Sequence, residues 1–116
     1  MKKIEAIIRS EKVGQIRQAL EKTNCTGLTL IQVGGQGCQK GMVQKWKNYE
    51  YKVGILPKTK IEIVVDDDSV KTIVAVICEA AKTGECGDGK IFIYPVEEAI
   101  RVRTGETGLA VLSSDK

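Results

Sequence analysis

The hexapeptide KIEAII at Lys3 to Ile8 returns as KIEIVV at Lys60 to Val65. In the first copy Ile4, Ala6 and Ile8 fall on one side of an extended chain. Around the second, Thr59, Ile61, Ile63 and Val65 share one side, and Lys58, Lys60, Glu62 and Val64 the other. A period of two marks a half-buried strand. Each copy runs into a helical pattern. Ser10 is expected to cap the first helix, with Glu11 in its first turn and Val13, Ile16 and Leu20 at helical spacing before Gly27. Asp66 to Ser69 open the second, whose stripe Val70, Ile73, Val74, Ile77 and Ala81 follows i, i+3, i+4, i+7, with Lys82 in the last turn and Gly84 as the stop.

Working outward, further strands are read at about Leu28 to Val33 and at Ile91 to Tyr94, the latter ended by Pro95. The third strand runs from Ile55 to Val65. A short helical turn around Val96 to Ile100 and a strand stub at Arg101 to Arg103 complete the pattern. The stretch from Gly34 to Gly54, which begins GGQG, holds no sustained period and reads as an exposed loop, at about 37–54 proper. The order strand, helix, strand, strand, helix, strand is two split βαβ halves. It predicts an α+β, ferredoxin-like βαββαβ sandwich over 1–116, with both helices on one face of an antiparallel sheet. That fold serves many functions and names none.

The 116 residues carry 18 Lys and Arg against 15 Asp and Glu, a net charge of +3, and 42% of them are hydrophobic. One small domain is expected, of a size that partner subunits help to stabilise. The longest apolar run, Ile73 to Cys78, is far short of the roughly 20 residues that cross a bilayer. Glu5 interrupts the N-terminal isoleucines and no small-residue cleavage site follows, so a cytoplasmic location without membrane insertion is expected. Cys25, Cys38, Cys78 and Cys86 have no CxxC spacing and read as reduced thiols. With no histidine in the chain, Ser-His-Asp triads, HExxH metalloproteases and zinc deaminases are excluded.

Gly84 to Lys90 reads GECGDGK, which fits GxxxxGK but places Ile91 where Ser or Thr would hold magnesium. It also leaves a helix and enters a strand, the reverse of a Walker loop. Its glycines still let successive N–H groups turn toward one anion, beside the cation of Lys90. The alternative is a tight turn that stops a helix. Arg101 and Arg103 alternate, and on an extended stub would point the same way, toward a triphosphate if the stub lies near Lys90. The long loop holds Trp46, Tyr49 and Tyr51, three of the five aromatics, interleaved with Lys45, Lys47 and Lys52. Such a pattern suits contact with a partner, a satellite cluster, or single-stranded nucleic acid.

These segments together resemble the PII family of nitrogen-regulatory signal-transduction proteins. The resemblance is gap-free from KKIEAII through TGLT at Thr26 to Thr29, GQGCQKG at Gly35 to Gly41, LPKTKIEIVV at Leu56 to Val65, TGECGDGKIFI at Thr83 to Ile93 and RVRTGE at Arg101 to Glu106. It implies a non-enzymatic homotrimer that binds ATP or ADP in clefts between neighbouring subunits and regulates transporters, enzymes or regulators through its long loop. It further implies that the phosphates are held by the loop at 83–90, through Gly87, Asp88, Gly89 and Lys90, and by Arg101 and Arg103 of the C-terminal segment 101–116. Thr29, Glu62 and Val64 would lie around base and sugar, and Gly37, Cys38 and Gln39 would add to the nucleotide site. Gln39 would ligate Mg2+, which bridges to 2-oxoglutarate held by Gln39, Lys40, Gly41 and Lys58. No nucleic acid partner is implied. Phe92 and Tyr94 on one strand face keep an RNA-binding ferredoxin-like module as the alternative, and slow ATP hydrolysis lacks an evident base.

The departures fall in the long loop. WKNYEY stands where the family usually has YRGAEY; it retains Glu50 and Tyr51, the latter a candidate for uridylylation, and places Tyr49 where some relatives carry a phosphorylated serine. Cys38 stands where the family usually has an arginine that reaches the phosphates, and its thiol has redox sensing as a second reading. Losing a charge-assisted bond costs roughly 1.5 to 3 kcal/mol. Cys38→Arg is therefore expected to bind ATP more tightly than the unaltered chain, with a smaller gain for ADP. Equal dissociation constants for ATP would refute the lost contact.

Overall fold

The computed structural model describes residues 1–35 and 55–113, together with the backbone of 43–46 and 49–52. Strand β1, Lys2–Arg9, is followed by a 3-10 turn at Ser10–Lys12 and helix α1, Val13–Glu21. Then come β2, Thr29–Gly35, the short strands β3, Val43–Trp46, and β4, Tyr49–Lys52, and the long β5, Leu56–Val65. A second 3-10 turn, Asp67–Ser69, leads into α2, Val70–Ala81, then β6, Gly89–Pro95, and a last 3-10 turn at Gly108–Leu112. The main sheet has the order β2-β5-β1-β6 and is antiparallel throughout. This is the ferredoxin-like α+β sandwich.

The repeated hexapeptides are the two central strands, and they pair with one another: Ile4 opposite Ile63, Glu5 opposite Glu62, Ala6 opposite Ile61. Their apolar sides meet the helices. Ile4, Ala6 and Ile8 of β1 and Ile61, Ile63 and Val65 of β5 are buried with Ile16 and Leu20 of α1 and Ile73, Ile77 and Ala81 of α2. Val13, Val70 and Val74 pack at the margin of this core. Among the described residues no helix lies over the other face of the sheet. Across β2-β5-β1-β6 it carries the rows Thr29, Glu62, Glu5, Phe92 and Ile31, Lys60, Ile7, Lys90.

Several expectations are corrected. The stretch from Gly34 to Gly54 is not all loop, because β2 continues to Gly35 and β3 pairs with β4, Trp46 opposite Tyr49 and Gln44 opposite Tyr51. Four-residue strands give only two repeats of a period of two, too few to stand out, although their aromatic content favours extended pairing. Ser10 does not cap α1. Its hydroxyl pairs with that of Thr59 at 2.8 Å, and the helix is entered through the 3-10 turn instead. The helical turn around Val96 to Ile100 does not form, since five residues cannot offset the cost of helix nucleation. Val96 N–H instead donates to the Met1 carbonyl at 3.1 Å. Arg101 to Arg103 is a turn rather than a strand stub. Gly105 N–H donates to the Arg101 carbonyl at 2.7 Å, Gly105 takes φ +75, and Ile100 bridges to Thr107.

Ile77 is fully buried where α2 meets the sheet. Ile77→Ala should lower unfolding stability by about 2–5 kcal/mol, read from the midpoint of urea denaturation.

Candidate functional site

Two groups of expected site residues lie at opposite ends of β5, on the open face of the sheet. At one end Thr29 pairs across strands with Glu62, and a cleft of about 830 Å³ opens beside them. Thr29, Glu62 and Val64 all line it, together with Lys3, Gly27 and Leu112. The C-terminal turn reaches this cleft because the Thr26 hydroxyl donates to the Leu112 carbonyl at 2.6 Å. Arg101 grips the same turn, its Nη2 donating to the carbonyls of Ala110 at 3.2 Å and Ser113 at 3.1 Å, while Nη1 lies 3.6 Å from the Glu106 carboxylate. Arg103 sits on the exposed turn two residues on.

At the other end, about 13 Å along the strand, Lys58 lies on the same side of β5 as Glu62. It stands opposite Arg9 of β1, and both side chains turn to the glycine-rich loop. Lys58 Nζ donates to the Gly87 carbonyl at 2.6 Å. Arg9 donates from Nε to Asp88 at 3.1 Å and from Nη2 to the Cys86 carbonyl at 2.9 Å. Asp88 also accepts from Thr83 N–H at 2.7 Å, the Thr83 hydroxyl at 2.5 Å and Gly84 N–H at 3.0 Å. Gly87 and Gly89 take φ +102 and +112, and a Cβ at Gly89 would overlap the Ile7 carbonyl oxygen, so only glycine lets the loop meet the sheet there.

The electrostatics follow from these contacts. The Asp88 carboxyl is held well below the usual carboxylate range, chiefly by the Thr83 hydroxyl and then by the Thr83 and Gly84 amides and Arg9. Burial pushes the Lys58 ammonium down, and Arg9 beside it adds to this. On the open face the Tyr94 hydroxyl and then Lys60 lower Glu5, while Glu5 raises Tyr94. Lys3 Nζ lies 4.7 Å from the centre of the Tyr94 ring.

The structure brings some of the expected site residues together and keeps others apart. Thr29, Glu62 and Val64 come together, and so do Lys58, Gly87 and Asp88. Gly89 and Lys90 do not join the first group, because they begin β6 at the edge of the sheet opposite β2. None of Gly87 to Lys90, Arg101 or Arg103 lines the 830 Å³ cleft. Gly37, Cys38, Gln39, Lys40 and Gly41 lie outside the described residues. Their chain leaves β2 at Gly35, where a Cβ would come within 3.0 Å of Lys58 Cγ. Tyr51 is placed on β4, opposite Gln44. Sequence reading missed Arg9, Thr83 and Thr26. A Thr five positions before an Asp is a usable signal for the turn at 83–88, whereas Arg9 and Asp88 are 79 residues apart and carry no local signal of their contact. Among the described residues no cluster of three or more Cys, Asp or Glu has metal-holding geometry.

The structure is a ferredoxin-like α+β domain with a glycine-rich loop leading into one edge strand of its sheet and a cleft beside the other. The family described as "Nitrogen regulatory protein P-II" matches residues 1–106. The chain is 50% identical over 108 residues to "Nitrogen regulatory protein P-II 2" of Methanothermobacter thermautotrophicus, covering 93% of this chain and 94% of that one. It is 52% identical over 106 residues to "Nitrogen regulatory protein P-II" of Nostoc punctiforme, covering 91% and 95%. With the protein of that name from Porphyra purpurea it shares 50% over 112 residues, covering 97% and 100%. The chain belongs to the nitrogen regulatory P-II family.

A carboxylate whose folded pKa is depressed adds stability that is present above its unfolded value and is lost as pH falls through the folded one. The stability gap between the unaltered chain and Asp88→Asn should therefore be constant from pH 7 to about 5 and shrink below about 4. Urea unfolding at a series of pH values measures it.

Proposed function

We propose that this chain is a non-enzymatic signal-transduction protein of nitrogen and carbon metabolism that binds ATP or ADP between neighbouring subunits of a homotrimer. The observation that carries this reading is the split of the site across one sheet. The cleft beside Thr29, Glu62 and Val64 borders the β2 edge, and Gly89 and Lys90 open the β6 edge. The outer strands of a four-stranded sheet are about 14 Å apart. One chain therefore offers a cleft with room for a base and sugar and a phosphate-type loop at opposite edges, and a second copy edge to edge would bring them together. A polyphosphate fits the loop residues: positive-φ glycines admit close approach, and Lys90 supplies charge. Gly87 and Asp88 would take part with Gly89 and Lys90, and Arg101 and Arg103 would be drawn to the phosphates.

In this reading Gln39 would hold Mg2+, a hard cation that favours oxygen ligands, and 2-oxoglutarate would be held by Gln39, Lys40, Gly41 and Lys58. The hairpin β3–β4, which carries Tyr51, presents the surface for target transporters, enzymes or regulators, and Tyr51 is the site for uridylylation. Location in the cytoplasm suits that role, and no helix among the described residues is long and apolar enough to cross a membrane. The RNA-binding alternative gains nothing from the open face, where Glu5 lies opposite Phe92 and Glu62 beside it.

If 2-oxoglutarate binds the ATP and Mg2+ state alone, it must tighten ATP by the same factor that ATP tightens it. Calorimetric titration of ATP with Mg2+ should show a lower dissociation constant when 2-oxoglutarate is present. An unchanged constant would refute the coupled mechanism, and a chain that sediments as a monomer with ATP bound would refute the shared cleft.

A further inference from the structure

An aspartate inside a loop read as a polyanion site is electrostatically costly unless its charge is spent elsewhere. Asp88 spends it. One oxygen accepts Arg9 Nε and the Thr83 hydroxyl, and the other accepts the amides of Thr83 and Gly84. With both oxygens engaged and a negative charge, the Asp88 side chain has nothing to donate to a phosphate.

Arg9 does a second thing with its other nitrogen. Nη2 draws the Cys86 carbonyl toward the sheet at 2.9 Å, and Lys58 draws the Gly87 carbonyl at 2.6 Å. In a trans peptide the carbonyl and the following N–H point in opposite directions, and no peptide bond here is cis. Pulling the carbonyls of Cys86 and Gly87 inward turns the N–H groups of Gly87 and Asp88 outward. Two successive outward amides make an anion-binding concavity.

We propose that Arg9 is a positioning residue for phosphate binding: it cancels the Asp88 charge and, through the Cys86 carbonyl, aims the Gly87 N–H at the ligand. The inference rests on the nucleotide reading above and assigns Arg9 no contact with the nucleotide. It makes a prediction that a merely structural role would not. Arg9→Gln removes the cation bonded to Asp88 and leaves its carboxylate on neutral donors, the Thr83 hydroxyl and the Thr83 and Gly84 amides, so its negative charge stands beside the phosphates and the second change Asp88→Asn should restore binding rather than worsen it.

The experiment is calorimetric titration of ATP into the full chain and its variants at low salt. Arg9→Gln is expected to weaken ATP roughly tenfold, the factor that one charge-assisted bond supplies. Arg9→Gln/Asp88→Asn is expected to bind more tightly than Arg9→Gln alone. Arg9→Lys keeps the charge but cannot reach both Asp88 and the Cys86 carbonyl, and is expected to bind between the two extremes; it serves where Arg9→Gln does not fold. ATP affinity unchanged in Arg9→Gln or in Arg9→Lys overturns the proposal, and so does a double variant no better than Arg9→Gln. An unaltered chain that binds no ATP overturns the nucleotide reading together with this inference, whereas normal binding by the unaltered chain and by the Arg9 variants overturns this inference alone.

Discussion

The pairing of β1 with β5 places two glutamates, Glu5 and Glu62, directly opposite each other on the open face of the sheet. Like charges in that position repel, and the pairing stands because the same repeated motif supplies the remedy. Lys60 Nζ lies 3.4 Å from Glu5 and 3.9 Å from Glu62, and Lys3 Nζ lies 3.9 Å from Glu62. Because the strands are antiparallel copies of one pattern, the lysine of each copy falls diagonally beside the glutamate of the other. A lattice of two lysines and two glutamates thus sits on the local twofold, and a shift of one residue would break it while turning the isoleucines to the wrong face. Half-exposed ion pairs such as these are individually weak. Their contribution here is register, and the buried isoleucines on the reverse side supply the driving force.

Fixing that register fixes both the wall of the cleft and the anchors of the glycine-rich loop. Glu62 belongs at once to the lattice and to the wall of the cleft, so the cleft is tied to the centre of the sheet. Four residues along β5, the same register sets Lys58 opposite Arg9. These two cations hold three consecutive loop residues, Cys86, Gly87 and Asp88, against the end of the sheet. A flexible glycine-rich segment becomes a shaped one without a buried core of its own.

The parts of this fold that were legible in the sequence are those in which one face is buried over many residues. The stripe of α2 and the alternation of β1 and β5 put isoleucine and valine on a single face, and the structure buries those residues. The hairpin within 43–52 was hidden by its brevity, and the turn at Arg101 by its dependence on Gly105 and on carbonyls of the last turn. For the site, residues within one strand or one short loop could be grouped by spacing, as Glu62 with Val64 or Gly87 with Gly89. Arg9 could not. It reads as the polar end of an alternating strand, and only the adjacency of β1 and β6 brings it to the loop that β6 follows.

The chain's route past Lys58 links the loop to the long excursion between β2 and β5. Gly35 and Leu56 face each other where that excursion leaves and rejoins the sheet. Gly35 packs on the stem of Lys58, whose ammonium in turn holds the Gly87 carbonyl. Burial of that ammonium, with Arg9 close by, makes its charged state costly, and the Gly87 carbonyl is the acceptor it has there. One side chain thus touches two segments far apart in sequence, the end of β2 at Gly35 and the glycine-rich loop at Gly87.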